Sequence, residues 1–212
     1  MPQPARLNVI VRPGAPQSEL RIGHVAVSRS TPDYHALVAA NMVLGGQFVS
    51  RVNLNLRGEK GITYGVRTAF EFRRAPGPFV LNVSVDKAAT ALAISESIRE
   101  ISDIREARPV LAAELSTGVA ALTRGYAKNF ETCDQIARAV AQLAVFNLPE
   151  DFYSEFVPRI EELSPDEVTQ AAARHLDPSR LTTLVVGDVD ATSQEFGRLN
   201  LGTPELLSPD SI

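Results

Sequence analysis

The sequence predicts an α+β domain in two layers, a mainly antiparallel sheet packed with helices. Two observations lead there. Strand-like alternation fills much of the first 86 residues and returns only near the end, whereas Lys87 to His175 reads almost entirely as helix. Strands, then helices, then a strand does not make the repeated strand–helix alternation of a parallel array.

The elements follow in order. Leu7, Val9 and Val11 alternate with polar neighbours, and Arg12-Pro13-Gly14-Ala15-Pro16 then turns the chain. Leu20 and Ile22 alternate with Glu19 and Arg21. Thr31-Pro32-Asp33 reads as a helix opening, with Thr31 as cap and proline at the first helical position. That helix carries Tyr34, Leu37, Val38 and Met42 and stops at Gly45-Gly46. A second helix is expected from about Gln47 to Arg57, before Gly58 and Gly61.

Tyr64, Val66, Thr68, Phe70 and Phe72 share one face of a strand, with Arg67, Glu71 and Arg73 on the other. After Ala75-Pro76-Gly77-Pro78, Phe79, Leu81, Val83 and Val85 alternate with Asn82, Ser84 and Asp86. These two runs form an antiparallel hairpin with one wet face. Helices are expected at 87–104, 107–126, 130–147, 150–161 and 165–176. Ser164-Pro165-Asp166-Glu167 supplies a cap, a proline and two carboxylates that complement the helix dipole. Leu181 to Val186 is a last strand. Residues 1–190 read as one domain, with 191–212 a loosely held tail.

With 21 Lys and Arg against 25 Asp and Glu, the 212-residue chain carries a formal charge of −4. That argues against general nucleic-acid binding, which needs a basic stripe. Asn41 and Gln142 interrupt the longest apolar runs, so no transmembrane segment is read. The opening Met1-Pro2-Gln3-Pro4 lacks the basic and apolar regions of a signal peptide. Cys133 stands alone, which excludes an intramolecular disulfide or a cysteine-based zinc cluster. It reads as a buried small hydrophobe.

Chemistry is sparse. His24, His35 and His175 share no metal-ligand spacing, so no complete zinc site is expected. His35 and His175 read as surface or capping residues, and His24 as either a strand position or a contact surface. Asp188-Val189-Asp190 fits turn chemistry better than a cation site. Asn82-Val83-Ser84 matches a glycosylation sequon but lies within a strand. In Leu56-Arg57-Gly58-Glu59-Lys60-Gly61-Ile62-Thr63-Tyr64, Arg57 suits a helix C-terminus and Tyr64 suits packing on a sheet. Brought together, guanidinium and phenol are also two donors able to hold a carbonyl or oxyanion.

Several blocks decide between those readings by resemblance. Pro13-Gly14-Ala15-Pro16-Gln17-Ser18, Arg21-Ile22-Gly23-His24, Leu44-Gly45-Gly46 with Ser50-Arg51, Leu56-Arg57, Gly61-Ile62-Thr63-Tyr64-Gly65-Val66 and Val185-Val186-Gly187-Asp188 occur in order. Together they resemble the second, non-zinc-binding domain of insulinase/pitrilysin-type zinc metallopeptidases, which include the mitochondrial processing peptidases.

The resemblance implies a peptidase built from homologous domains around a chamber. Zinc would come from a His-x-x-Glu-His motif in a homologous partner domain or subunit, with no cofactor in this chain. Arg57 and Tyr64 would be the catalytic and substrate-binding pair, directed at the peptide substrate's scissile carbonyl. A strand edge at Gly65 and Val66 would add backbone pairing. The helix from Tyr34 to Leu44 would be the counterpart of the zinc helix, but it offers Ala36, Leu37 and Val38 where ligands and base would stand. Gly58 replaces a more usual charged helix former and loosens the helix end. The resemblance leaves a scaffold subunit without proteolytic role as the alternative. It leaves the compartment open between periplasm and cytoplasm of bacteria.

Overall fold

In the computed structural model, which describes residues 4–191 and 193–208, the chain opens with β1 (Arg6–Val11) and β2 (Gln17–Val25). Helix α1 (Tyr34–Asn41) continues through a π-helical turn, Met42–Gly46, and α2 (Arg51–Asn53) through another, Leu54–Glu59. The hairpin β3 (Val66–Phe70) and β4 (Pro78–Asp86) follows. Five helices come next: α3 (Thr90–Asp103), α4 (Ala112–Thr123), α5 (Cys133–Phe146), α6 (Phe152–Glu161) and α7 (Pro165–His175). β5 (Thr182–Gly187), a short α8 (Gln194–Gly197) and β6 (Glu205–Leu206) close the fold.

The strands form one six-stranded sheet in the order β3-β4-β2-β5-β1-β6. β3–β4, β4–β2 and β2–β5 are antiparallel, whereas β5–β1 and β1–β6 are parallel. The predicted hairpin pairs Val66 with Val83 and Phe70 with Phe79. Alternation explains the layering. β4 buries Phe79, Leu81, Val83 and Val85 and leaves Val80, Asn82 and Ser84 half-buried on the other face. β2 likewise buries Leu20 and Ile22 and turns Glu19 and Arg21 to the wet side. Ala39 and Ala40 of α1, Ile94 and Ile101 of α3, and Val168 and Ala172 of α7 join the same core. Fully burying one such large aliphatic chain contributes about 1.5–3 kcal/mol. The opposite face sets Glu19, Arg21, Asn82 and Ser84 beside half-buried Val80, Leu184 and Val186.

Several expectations are corrected. α1 starts at Tyr34, because the Thr31 hydroxyl accepts the Asp33 N–H at 3.3 Å in the approach turn instead of capping the helix. Asp33 cannot cap it either, since its carboxylate binds Arg174 at 2.8 Å and His175 at 2.6 Å. The second helix begins only at Arg51, after extended Ser50, and overruns Arg57 to Glu59. Tyr64 precedes β3 and is 92% exposed, so it does not pack on the sheet. Cys133 is exposed, because Thr132 caps α5 and puts the thiol in its first turn, outside the core.

Of the histidines, His24 takes the strand position that is one of its two readings, and His35 departs from its reading. His24 is buried, with Nδ1 2.9 Å from the Val25 carbonyl and Nε2 accepting the Asp177 N–H at 3.2 Å. Burial holds its pKa below the ordinary value. His35 stacks in an aromatic cluster and His175 is paired with Asp33. After Asp190, among the described residues, Ala191, Phe196 and Leu201 are buried, and β6 pairs with β1. The readings at Met1–Gln3, Thr192 and 209–212 lie outside the described residues.

Candidate functional site

The two π-helical turns and the approach to β3 meet at one end of the wet sheet face. Single π-turns inside helices concentrate at functional sites. The first turn brings Gly45 against β3, where an added Cβ would lie 2.6 Å from the Thr68 side chain. Only glycine allows that approach, and it fixes the loop carrying Phe48 beside the strand. The second turn carries Arg57 and ends at Gly61, whose φ of +66° suits glycine. The Ile62 N–H then bonds the Leu56 carbonyl at 3.0 Å, a C-terminal closure like that of a Schellman motif, widened by the π geometry.

From that closure the chain rises through Thr63-Tyr64-Gly65. The Thr63 hydroxyl lies 2.7 Å from the Ser84 carbonyl and accepts the Gly65 N–H at 3.2 Å. This short turn lifts the Tyr64 ring off the surface. Tyr64, Gly65, Val66, Phe48 and Arg67 line a cleft of about 530 Å³ with Glu19 and Asn82 of the sheet. Arg57 lies outside that lining and places its guanidinium 4.0 Å from the Phe48 ring centroid. Thus Arg57 stacks on Phe48 instead of on Tyr64, and Phe48 is the link between the two predicted residues. Glu19 is occupied by Arg21 at 3.4 Å and by the Ser84 hydroxyl. Arg57 makes no ion pair among the described residues, so its donors are open to a ligand.

Val66 takes a different place from its sequence reading. Its side chain is buried, and the Asn53 side chain accepts its N–H at 2.9 Å and donates to its carbonyl at 2.8 Å. No ladder N–H is left there for an incoming peptide strand. Gly65 is exposed.

Sequence reasoning missed the anchors of this site. Arg51, buried, grips Glu114 with two bonds of 2.7 and 2.6 Å and donates to the Arg108 and Pro109 carbonyls at 2.5 and 2.9 Å. These contacts pin α2 to the start of α4. Asn55 donates to Glu96 and Glu100, both at 2.8 Å, tying the π-turn to α3. The available signal was Arg51-Val52-Asn53-Leu54-Asn55, where two poor helix formers in a short helix are out of place unless they serve tertiary bonds. No cluster of three or more His, Cys, Asp or Glu able to hold a metal occurs among the described residues. Ala36 and Leu37 of α1 are buried apolar groups that do not fit zinc.

The sequence pattern of the peptidase M16 inactive domain matches residues 2–122. Several solved structures share the fold. A peptidase M16 inactive domain from Pseudomonas fluorescens superposes with a TM-score of 0.82 at 23% identity, covering 90% of this chain and 45% of its own. A protease from Helicobacter pylori gives 0.77 at 17%, covering 87% and 45%. A chain in the structure of complex III2 from Candida albicans, Inz-5 bound, gives 0.73 at 13%, covering 94% and 49%. This chain therefore spans about half the length of these neighbours. No curated protein sequence matches it. The family match covers more than half of the chain and agrees with the blocks read from the sequence: the chain belongs to the peptidase M16 inactive domain family.

Proposed function

We propose that this chain is the substrate-holding half of a zinc metalloendopeptidase whose metal, water nucleophile and base come from a homologous domain or subunit. The observation that carries the reading is Tyr64, an aromatic residue 92% exposed at the mouth of the cleft. A large apolar ring held in water by a braced turn has no packing role in this chain. Arg57 and Tyr64 act as donors to the scissile carbonyl of a peptide as negative charge develops on its oxygen. The pair performs no hydrolysis alone. Gly65 lets the substrate backbone approach, and Val66 forms the wall.

The test is a reconstituted enzyme carrying Arg57→Ala or Tyr64→Phe. Loss of a well-placed oxyanion donor lowers kcat by about 10²-fold with little change in KM. Full activity in both variants would sink the assignment. A second reading, a scaffold subunit without proteolytic role, is favoured by the occurrence of this fold in the structure of complex III2. It predicts that both variants assemble and function as the parent does.

A further inference from the structure

A second recess lies away from the cleft, between the N-terminus of α1 and the α5–α6 connection. It measures about 290 Å³ and is lined by Arg29, Tyr34, His35, Asn147, Phe152 and Arg159, among others. Arg29 is 7% exposed, and its guanidinium sits 3.4 Å from the Tyr34 ring centroid and 4.6 Å from that of Phe152. It makes no ion pair within 4.0 Å and no side-chain hydrogen bond among the described residues, and its nitrogens are not sealed in the core but open on the recess.

A buried charge without a carboxylate is uncommon, because desolvation penalises it heavily. Two aromatic faces offset part of that penalty through cation–π attraction. They do nothing for the five N–H donors, which require oxygen acceptors. Burial pushes the Arg29 pKa down from the ordinary arginine value, the same conflict in another form. His35 adds no charge here: burial first, then Arg159 and Arg29, hold its pKa at about 4, so the ring is neutral at pH 7.

The remaining charges are Arg159, Asp151 and Glu155, all exposed on α6 or at its start. Water can screen those three at the rim, while the buried part of the recess holds only the Arg29 cation. The rings suit a flat apolar body, and the volume lies at the lower limit for small-molecule pockets.

We propose that this recess binds a small organic anion, a carboxylate on a flat apolar body, with Arg29 at its floor and Arg159 at its rim. The carboxylate accepts from the Arg29 fork, and its apolar body lies against Phe152. The recess shares no lining residue with the cleft at Tyr64.

The test titrates the whole chain with benzoate, benzamide and inorganic phosphate, followed by NMR shifts of the Arg29 Nε–H and the Asn147 amide. Benzoate should saturate both signals with a Kd on the order of 1 mM, near what nine heavy atoms deliver. Benzamide, which has the same shape without the charge, should bind roughly tenfold weaker or worse. Phosphate, charged without the ring, should also be weaker. Arg159→Gln, at an exposed position, keeps the fold and should weaken benzoate roughly threefold. Arg29→Gln should abolish saturation while circular dichroism stays unchanged; if that variant does not fold, the Arg159→Gln ratio decides. Absence of saturation by tens of millimolar, equal affinity for benzamide, equal affinity for phosphate, or no effect of Arg159→Gln would each overturn the proposal.

Discussion

Two arginines in this molecule lie on aromatic rings, and they do opposite things. Arg57 covers Phe48 at 4.0 Å on an exposed π-turn, and Arg29 covers Tyr34 at 3.4 Å with its side chain buried. The ring contact is the same; the solvent is not. At Arg57 water completes the guanidinium at little cost, so the group is free to leave Phe48. At Arg29 the position is fixed by packing, and the missing acceptor must come to it. Burial therefore decides whether a cation on a ring is a mobile donor or a preset receptor.

The largest expected effect comes from a third arginine that supports the first region. Arg51 has both Glu114 oxygens and two carbonyls, so Arg51→Met strands a half-buried carboxylate and unpins α2. Removing one partner of such a pair costs about 3 kcal/mol. Arg29→Met should differ sharply. Its lost cation–π attraction is offset by removing a buried, unpaired charge, leaving a change within about 1 kcal/mol when no anion is added. Urea unfolding of both variants checks the contrast. Equal losses would erase the distinction between a completed and an uncompleted buried arginine.

Much of this was legible in the sequence. The alternation of Phe79, Leu81, Val83 and Val85 predicted β4, its buried face and its hairpin with β3, because a single apolar face permits one register. Ser164 and Glu167 marked the start of α7, and the reciprocal cap is formed. The parallel placement of β1 beside β5 was not legible, since nothing local encodes pairing across that separation. The second π-turn was hidden because Asn53 and Asn55 tie it to β3 and α3, contacts distant in sequence. The aromatic recess was hidden for the same reason. Its rings come from Tyr34, Phe146 and Phe152, distant in sequence, and His35 reads as a surface residue until they surround it.

Acid should weaken the fold first through the histidines whose pKa burial lowers. The folded-state pKa of His35 lies at about 4, below its ordinary 6.5, because of burial and the two arginines. An unfolded chain therefore takes up this proton first as pH falls. The stability due to the neutral ring is complete above about pH 6.5 and is lost progressively down to about pH 4. His24, also lowered by burial, adds stability of the same sign that is lost as pH falls below its ordinary value of 6.5. Asp33 acts in a lower window: hydrogen bonding to Arg174 lowers its pKa, so its contribution is lost only below its unfolded value of 3.8. Urea midpoints at pH 7, 5.5 and 4.5 should fall in the parent and fall less in His35→Phe. Parallel curves would show that the ring titrates as freely as an exposed histidine.

The smallest expected effect lies at Gly58, within the turn that carries Arg57. Its backbone is not in the left-handed region, and an added Cβ would meet only the Asn53 carbonyl, at 3.9 Å. A methyl group therefore fits, and alanine in a helical position gains about 0.5–1 kcal/mol over glycine by restricting the unfolded chain. For a domain of this size that raises Tm by about 2 °C. Gly58→Ala should also stiffen the π-turn without touching the Phe48 contact. If Arg57 must swing from Phe48 to the substrate, the stabilised variant should lose a little kcat in the reconstituted enzyme while KM holds. If the turn is already rigid, stability rises and kcat is unchanged, which would make the exposed arginine as preset as the buried one. A drop in Tm would show that the π-turn needs backbone freedom that alanine lacks.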